Sequence, residues 1–162
     1  MEILRTISSV QTFLKKCREK KGVIGFVPTM GALHEGHLSL LKKSMQNNDY
    51  TICSIYVNPK QFNNKEDLVS YPRTTQSDIE KLKRINCDAL FLPSDSEMYQ
   101  TDDICVKYNF TDLFNILEGE KRPGHFLGVV TIVDKLFNLI NPDKVYFGEK
   151  DYQQLRIIKL FV

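Results

Sequence analysis

Two of the three histidines in this 162-residue chain stand three residues apart, in the run Pro28-Thr29-Met30-Gly31-Ala32-Leu33-His34-Glu35-Gly36-His37. Imidazoles at i and i+3 on the first turn of a helix face the same way, toward the end where unpaired N–H groups and the helix dipole attract anions. That chemistry suits a triphosphate. Gly36 removes a side chain where a flat base would have to approach the backbone. Two plainer readings stand beside this one. A zinc-protease helix needs histidines at i and i+4, so the spacing of three fails that template and no metal site is expected. A histidine pair can also cap or pack a helix without any ligand.

Other residues add to the anion-binding character. Gly148-Glu149-Lys150-Asp151 is expected to open a helix, so its amides face an anion, Gly148 lets the backbone come close and Lys150 supplies a mobile positive charge. Such a sequence also serves as a plain helix cap. Gln61 and Gln154 carry uncharged amides able to fix hydroxyl and carboxylate groups. Glu118 to Phe126 holds Arg122 and the third histidine, His125, and Arg73 follows Tyr71-Pro72. Either arginine suits a phosphate or a carboxylate, or a structural ion pair. No P-loop or dinucleotide fingerprint occurs.

These residues need elements to hold them. Ser8 or Ser9 can cap a helix reaching Lys20, with Val10, Phe13, Leu14 and Cys17 as its apolar stripe. Val23–Val27 reads as a buried strand, and Leu38, Leu40, Leu41 and Met45 recur at helical spacing behind His37. A second strand is expected over Tyr50–Val57, a helix over Ser77–Asn86 and a third strand over Asp88–Leu92. Then come an edge strand at Ile104–Tyr108, a short helix at Thr111–Leu117, a long one over Phe126–Ile140 and a strand at Lys144–Phe147. Strands alternating with helices imply an α/β fold, a Rossmann-like parallel sheet flanked by helices and wound right-handed. Four loops at strand carboxyl ends should then border one crevice: 28–37, 58–63, 93–99 and 148–151.

Composition fits one domain with one core. Charge is nearly balanced at +2 with the basic residues spread out, which argues against nucleic-acid and membrane-surface partners. Cys17, Cys53, Cys87 and Cys105 lack paired short spacing and read as reduced, mostly buried thiols. No apolar run has the length of a membrane helix and Met1–Arg5 lacks a secretory core, so a cytoplasmic protein is expected.

Taken together these motifs resemble the pantoate-beta-alanine ligase (pantothenate synthetase) family, of the HxGH nucleotidyltransferase type. The likeness covers nearly the whole chain. It rests on Pro28–His37, on Asn58-Pro59-Lys60-Gln61-Phe62 with Tyr71-Pro72-Arg73-Thr74, on Glu118 with Arg122-Pro123-Gly124-His125-Phe126, and on Phe147–Leu155. The resemblance implies a two-step reaction. Pantoate attacks the α-phosphate of ATP, giving pantoyl adenylate and pyrophosphate, and β-alanine then displaces AMP, with Mg2+ accompanying the nucleotide. It implies that Met30, Gly31, Ala32, Leu33, His34, Glu35, Gly36 and His37 line the ATP site. His34 and His37 would meet the phosphates, and His37 would be the proton donor. Gly148, Glu149, Lys150 and Asp151 would hold adenosine. Gln61 and Gln154 would grip pantoate, with Met30 closing its apolar side and Gln61 bordering β-alanine. A homodimer is implied as well.

Family members continue through a further strand, a second ATP loop and a small carboxyl-terminal lid domain. The apolar stretch Leu155–Val162, which lacks a C-cap, reads as an interrupted chain, so residues 1–162 are expected to be the nucleotide-binding domain alone, with activity dependent on the lid. Two alternatives remain at this point: another HxGH nucleotidyltransferase, and a non-catalytic nucleotide-binding or dimerisation module. Gln61 and Gln154 favour the pantoate reading over a phosphate-bearing acceptor.

Overall fold

A computed structural model describes residues 1–99 and 111–161. Its elements, in chain order, are β1 (Glu2–Leu4), α1 (Ile7–Glu19), β2 (Ile24–Thr29), α2 (Glu35–Asn47), β3 (Tyr50–Ile55), a 3-10 turn (Pro59–Gln61), α3 (Lys65–Ser70), α4 (Thr75–Arg84), β4 (Ala89–Phe91), α5 (Asp95–Met98), α6 (Thr111–Phe114), α7 (Glu118–Lys121), α8 (His125–Ile140), β5 (Lys144–Val145) and α9 (Tyr152–Phe161). The strands form one parallel sheet in the order β1-β4-β3-β2-β5. From β2 the chain builds outward through β3 and β4, then returns to place β5 on the other side of β2. The order therefore reverses between β2 and β5, and the loops that follow those two strands flank the switch point where open sheets bind ligands.

Both faces of the sheet are covered, as a parallel sheet requires. On one side Phe26, Ile52 and Phe91 meet Val10, Phe13 and Leu14 of α1 and Val129, Val133 and Leu136 of α8. On the other, Val27, Cys53 and Leu90 meet Leu38 and Leu41 of α2 and Ile79 and Leu82 of α4. Asp143 ties the amino end of β5 to β2, its carboxylate accepting the Ile24 N–H and the Arg18 guanidinium, each at 2.7 Å.

Several expectations need correction. The sequence reading has no strand at Glu2–Leu4, because three residues carry no detectable period; its pairing with β4 gives it a place at the sheet edge. The first helix is capped by Thr6 rather than Ser8 or Ser9. Thr6 Oγ1 accepts the Ser9 N–H at 3.1 Å and Ser9 Oγ accepts the Thr6 N–H at 3.2 Å, a reciprocal capping box. The polar segment around Asn64 holds a short helix, α3, started by Asn64 Oδ1 accepting the Glu66 N–H. Behind His37, Leu38, Leu41 and Ser44 form the buried stripe, while Leu40 and Met45 are half-buried. Cys17, Cys53 and Cys87 are free, buried thiols, as expected. The expected strand at Ile104–Tyr108, and Cys105 within it, lie outside the described residues.

Candidate functional site

The histidine run begins inside β2, since Pro28 and Thr29 still pair with Ser54 and Ile55 of β3. The chain then turns sharply: Gly31 has φ +84° and Ala32 φ +49°. His34 stands at the N-cap of α2 with extended backbone, not within the first turn, and His37 occupies the third helical position. The two rings pack at 4.1 Å between centroids. His34 Nδ1 accepts the Gly36 N–H at 3.1 Å, and His37 Nδ1 accepts the His34 N–H at 3.4 Å. Two imidazoles thus fill the reciprocal roles that a capping box gives to Ser/Thr and Glu/Gln. Because each Nδ1 is an acceptor, each neutral ring carries its proton on Nε2, where it can donate to an oxyanion. The capping and anion-binding readings of the pair are therefore compatible. A Cβ on Gly36 would come within 2.8 Å of the His34 Cε1 atom, so glycine is needed there for the His34 ring itself.

Burial, then the neighbouring His34, and farther off Lys150, push the His37 imidazole below its ordinary proton affinity. Burial likewise lowers His125, with the Arg122 charge adding to it. Both depressed histidines contribute stability that is present above the ordinary value of 6.5 and lost as pH falls below it, because the unfolded chain takes up protons first. The thermal midpoint is expected to hold between pH 7.5 and about 6.5 and to fall as pH drops below 6.5, less steeply in His37→Gln, measured by circular dichroism. A midpoint that holds or rises on acidification below that point contradicts the capping role.

Beside the pair lie two adjoining cavities that share Met30 and Pro72. The first, of about 260 Å3, is walled by Gly31, Tyr56, Thr74, Asp78, Pro93 and Asp95 among others. The second, of about 380 Å3, is walled by Gln61, Tyr71, Arg122, His125, Asp151 and Gln154 among others. All four expected loops thus contribute to these walls. The structure brings Met30, Gln61 and Gln154 together around the second cavity. Neither wall includes His34 or His37, which stand at the mouth of α2. Leu33 is buried below them, while Glu35, Gly148, Glu149 and Lys150 are exposed. Lys150 and Asp151 lie near enough to His37 for their charges to act on it.

Gln61 is buried and its amide is oriented by its surroundings. Asn58 Nδ2 donates to Gln61 Oε1 at 3.2 Å and to the Gly128 carbonyl at 3.0 Å, and Tyr99 Oη donates to Asn58 Oδ1 at 2.8 Å. Gln61 Nε2 is left as the donor toward the Met30 sulfur, 2.9 Å away. His125 Nδ1 donates to the Gln61 carbonyl at 2.8 Å. A ligand meeting this amide would meet its N–H groups, which suits carboxylate or hydroxyl oxygens. Arg122 pairs with Glu118 at 3.2 Å, and the Arg73 guanidinium donates to the carbonyls of Leu68, Val69 and Tyr71. Asp78 and Gly128, which help hold the site in place, are not singled out in the sequence, and Asn58 figures there only as one member of the 58–63 loop. Nothing in their local spacing marks them, because their partners lie far along the chain.

The model of the family described as pantoate-beta-alanine ligase matches residues 2–162. Pantothenate synthetase of Flavobacterium psychrophilum is 50% identical over the whole chain, and that of Thermotoga petrophila 48% identical. The chain spans 58% of the length of each of these curated relatives. Among solved structures, the pantoate-beta-alanine ligase of Francisella tularensis complexed with beta-gamma ATP and beta-alanine superimposes with a TM-score of 0.95 at 45% identity. It covers all of this chain and 62% of that one. A pantothenate synthetase from Thermus thermophilus gives 0.89 at 39% identity, again covering all of this chain and 57% of that one.

Proposed function

The chain belongs to the pantoate-beta-alanine ligase family, and on that premise we propose that residues 1–162 form its ATP- and pantoate-binding domain, acting in the ATP-dependent condensation of pantoate with β-alanine. The observation that carries this reading is the pair of Nε2-protonated imidazoles at a helix mouth beside a cavity that presents the Gln61 and Gln154 amides. In the proposal, His34 and His37 donate to the phosphates, and Met30–His37 and Gly148–Asp151 border the nucleotide. Gln61, Gln154 and Met30 hold pantoate, with Gln61 next to β-alanine. A pantoate carboxylate oxygen attacks the α-phosphorus, the bond to pyrophosphate breaks, and the β-alanine amine then displaces AMP from the acyl carbon. Little covalent work falls to the protein, whose task is alignment and stabilisation of charge at the α-phosphate and the leaving pyrophosphate.

Among the described residues no group of three or more His, Cys, Asp or Glu side chains could hold a metal. In the proposal Mg2+ enters with the triphosphate, whose oxygens and waters fill most of its coordination. In the relatives the remaining length would supply the cover and further phosphate contacts; a homodimer in the cytoplasm belongs to the same proposal. No described helix is long and apolar enough to cross a membrane.

Titration calorimetry of this chain with Mg-ATP and, separately, with pantoate tests the reading. Both ligands are expected to bind, and Gln61→Ala is expected to weaken pantoate while sparing ATP. Binding of ATP together with a phosphate-bearing acceptor in place of pantoate would favour another HxGH nucleotidyltransferase.

A further inference from the structure

Asp78 is 1% exposed and sits on the first turn of α4, remote in sequence from the histidine run. Its Oδ2 accepts the Ala32 N–H at 2.9 Å and its Oδ1 accepts the Leu33 N–H at 2.8 Å. The Thr74 hydroxyl donates to Oδ2 at 3.1 Å. Lys81, one turn farther along, donates from Nζ to the Leu33 carbonyl at 2.6 Å and lies 3.9 Å from Asp78 Oδ1. One carboxylate and one ammonium therefore hold the N–H and the C=O of the residue immediately before His34. The segment they hold is the one whose backbone is unfavourable by itself: Gly31 and Ala32 are consecutive left-handed residues, and Ala32 has a Cβ to accommodate there. Such a conformation persists only where the surroundings over-determine it.

We propose that Asp78, assisted by Lys81, is a positioning residue of the nucleotide site: it fixes the left-handed turn at Gly31-Ala32 and thereby the place at which His34 and His37 face the phosphates. This rests on the reading that the histidine pair binds the triphosphate. Two donors arriving on two separate oxygens require a carboxylate, since an amide can accept on only one and opposes an N–H to the other. Asp78 needs no contact with the nucleotide to act in this way.

The test compares the chain with Asp78→Asn and Lys81→Met by calorimetry and by amide hydrogen exchange. In Asp78→Asn, ATP affinity is expected to fall about tenfold or more, the consequence of leaving a buried donor unpaired, with a much smaller change for pantoate. The Ala32 and Leu33 amides should lose protection while those of β2 and β3 keep theirs. Lys81→Met should move both readouts in the same direction, and it decides the matter if Asp78→Asn does not fold. Unchanged Ala32 and Leu33 protection, or ATP and pantoate affinities falling in equal proportion, overturns the proposal. If the unmodified chain binds no ATP, the functional reading fails, and amide exchange together with the His34 and His37 ring resonances decides the positioning role independently.

Discussion

Under the proposed function, His37→Ala in a full-length family ligase carrying this domain is expected to lose about 10²- to 10⁴-fold in turnover while still folding, the range for a group that acts on a proton or a charge in the transition state. The ring holds its proton on Nε2 because Nδ1 is engaged by the His34 N–H, and its lowered proton affinity keeps it neutral near pH 7. It is thus a hydrogen-bond donor of fixed direction rather than a diffuse positive charge. Removing it also deletes one cap hydrogen bond, an effect of about 1 kcal/mol on stability. His37→Gln separates the two effects, because glutamine at that helical position accepts the same N–H as in a capping box. Retained stability with lost turnover in His37→Gln assigns the loss to the imidazole rather than to the cap, since glutamine keeps the cap acceptor and still has an amide N–H to offer. Unchanged turnover in His37→Ala sinks the role.

Much of the frame that holds this histidine is legible in the sequence, for physical reasons that also set the limit. Buried parallel strands such as Ile24–Thr29 and Tyr50–Ile55 read as apolar runs, and α1 and α8 as stripes at helical spacing, because burial imposes those patterns locally. Glu2–Leu4 escaped because its identity as a strand comes wholly from pairing with β4. Within the site, the histidines, Gln61 and Gln154 could be picked out as types able to do chemistry. Asp78 could not, since in its own helix it is an ordinary acidic residue of the first turn and its partner Leu33 lies 45 residues away. Asn58 is likewise read as a turn residue until Gly128, 70 residues on, is placed beside it. Residues proposed to touch ligand are marked by their chemistry, whereas those that aim them are marked only by geometry.

Gly128→Ala tests that distinction at the second cavity. In an exposed helix the change would stabilise the protein by up to about 1 kcal/mol, because alanine is the better helix former. Gly128 is buried where α8 crosses the 3-10 turn, and an added Cβ would lie 2.6 Å from the Lys60 carbonyl carbon and 2.7 Å from the Gln61 Cα. These are backbone atoms, so no side chain can swing aside; either the turn or the helix must move. Overpacking of this kind is destabilising by about 1–3 kcal/mol, which exceeds the gain in propensity. Any displacement of the turn acts on the bonds that orient Gln61, from Asn58 to its amide and from His125 to its carbonyl. Pantoate affinity is therefore expected to fall on the order of 10-fold, the scale of one hydrogen bond to the ligand. ATP affinity should change far less, since Asp78 lines the first cavity and neither histidine lines the one that holds Gln61. Thermal unfolding and paired titrations with pantoate and ATP measure both effects. A variant as stable as the parent with unaltered pantoate affinity would show that α8 and the turn have slack, and that Gln61 owes its position to Asn58 and His125 alone.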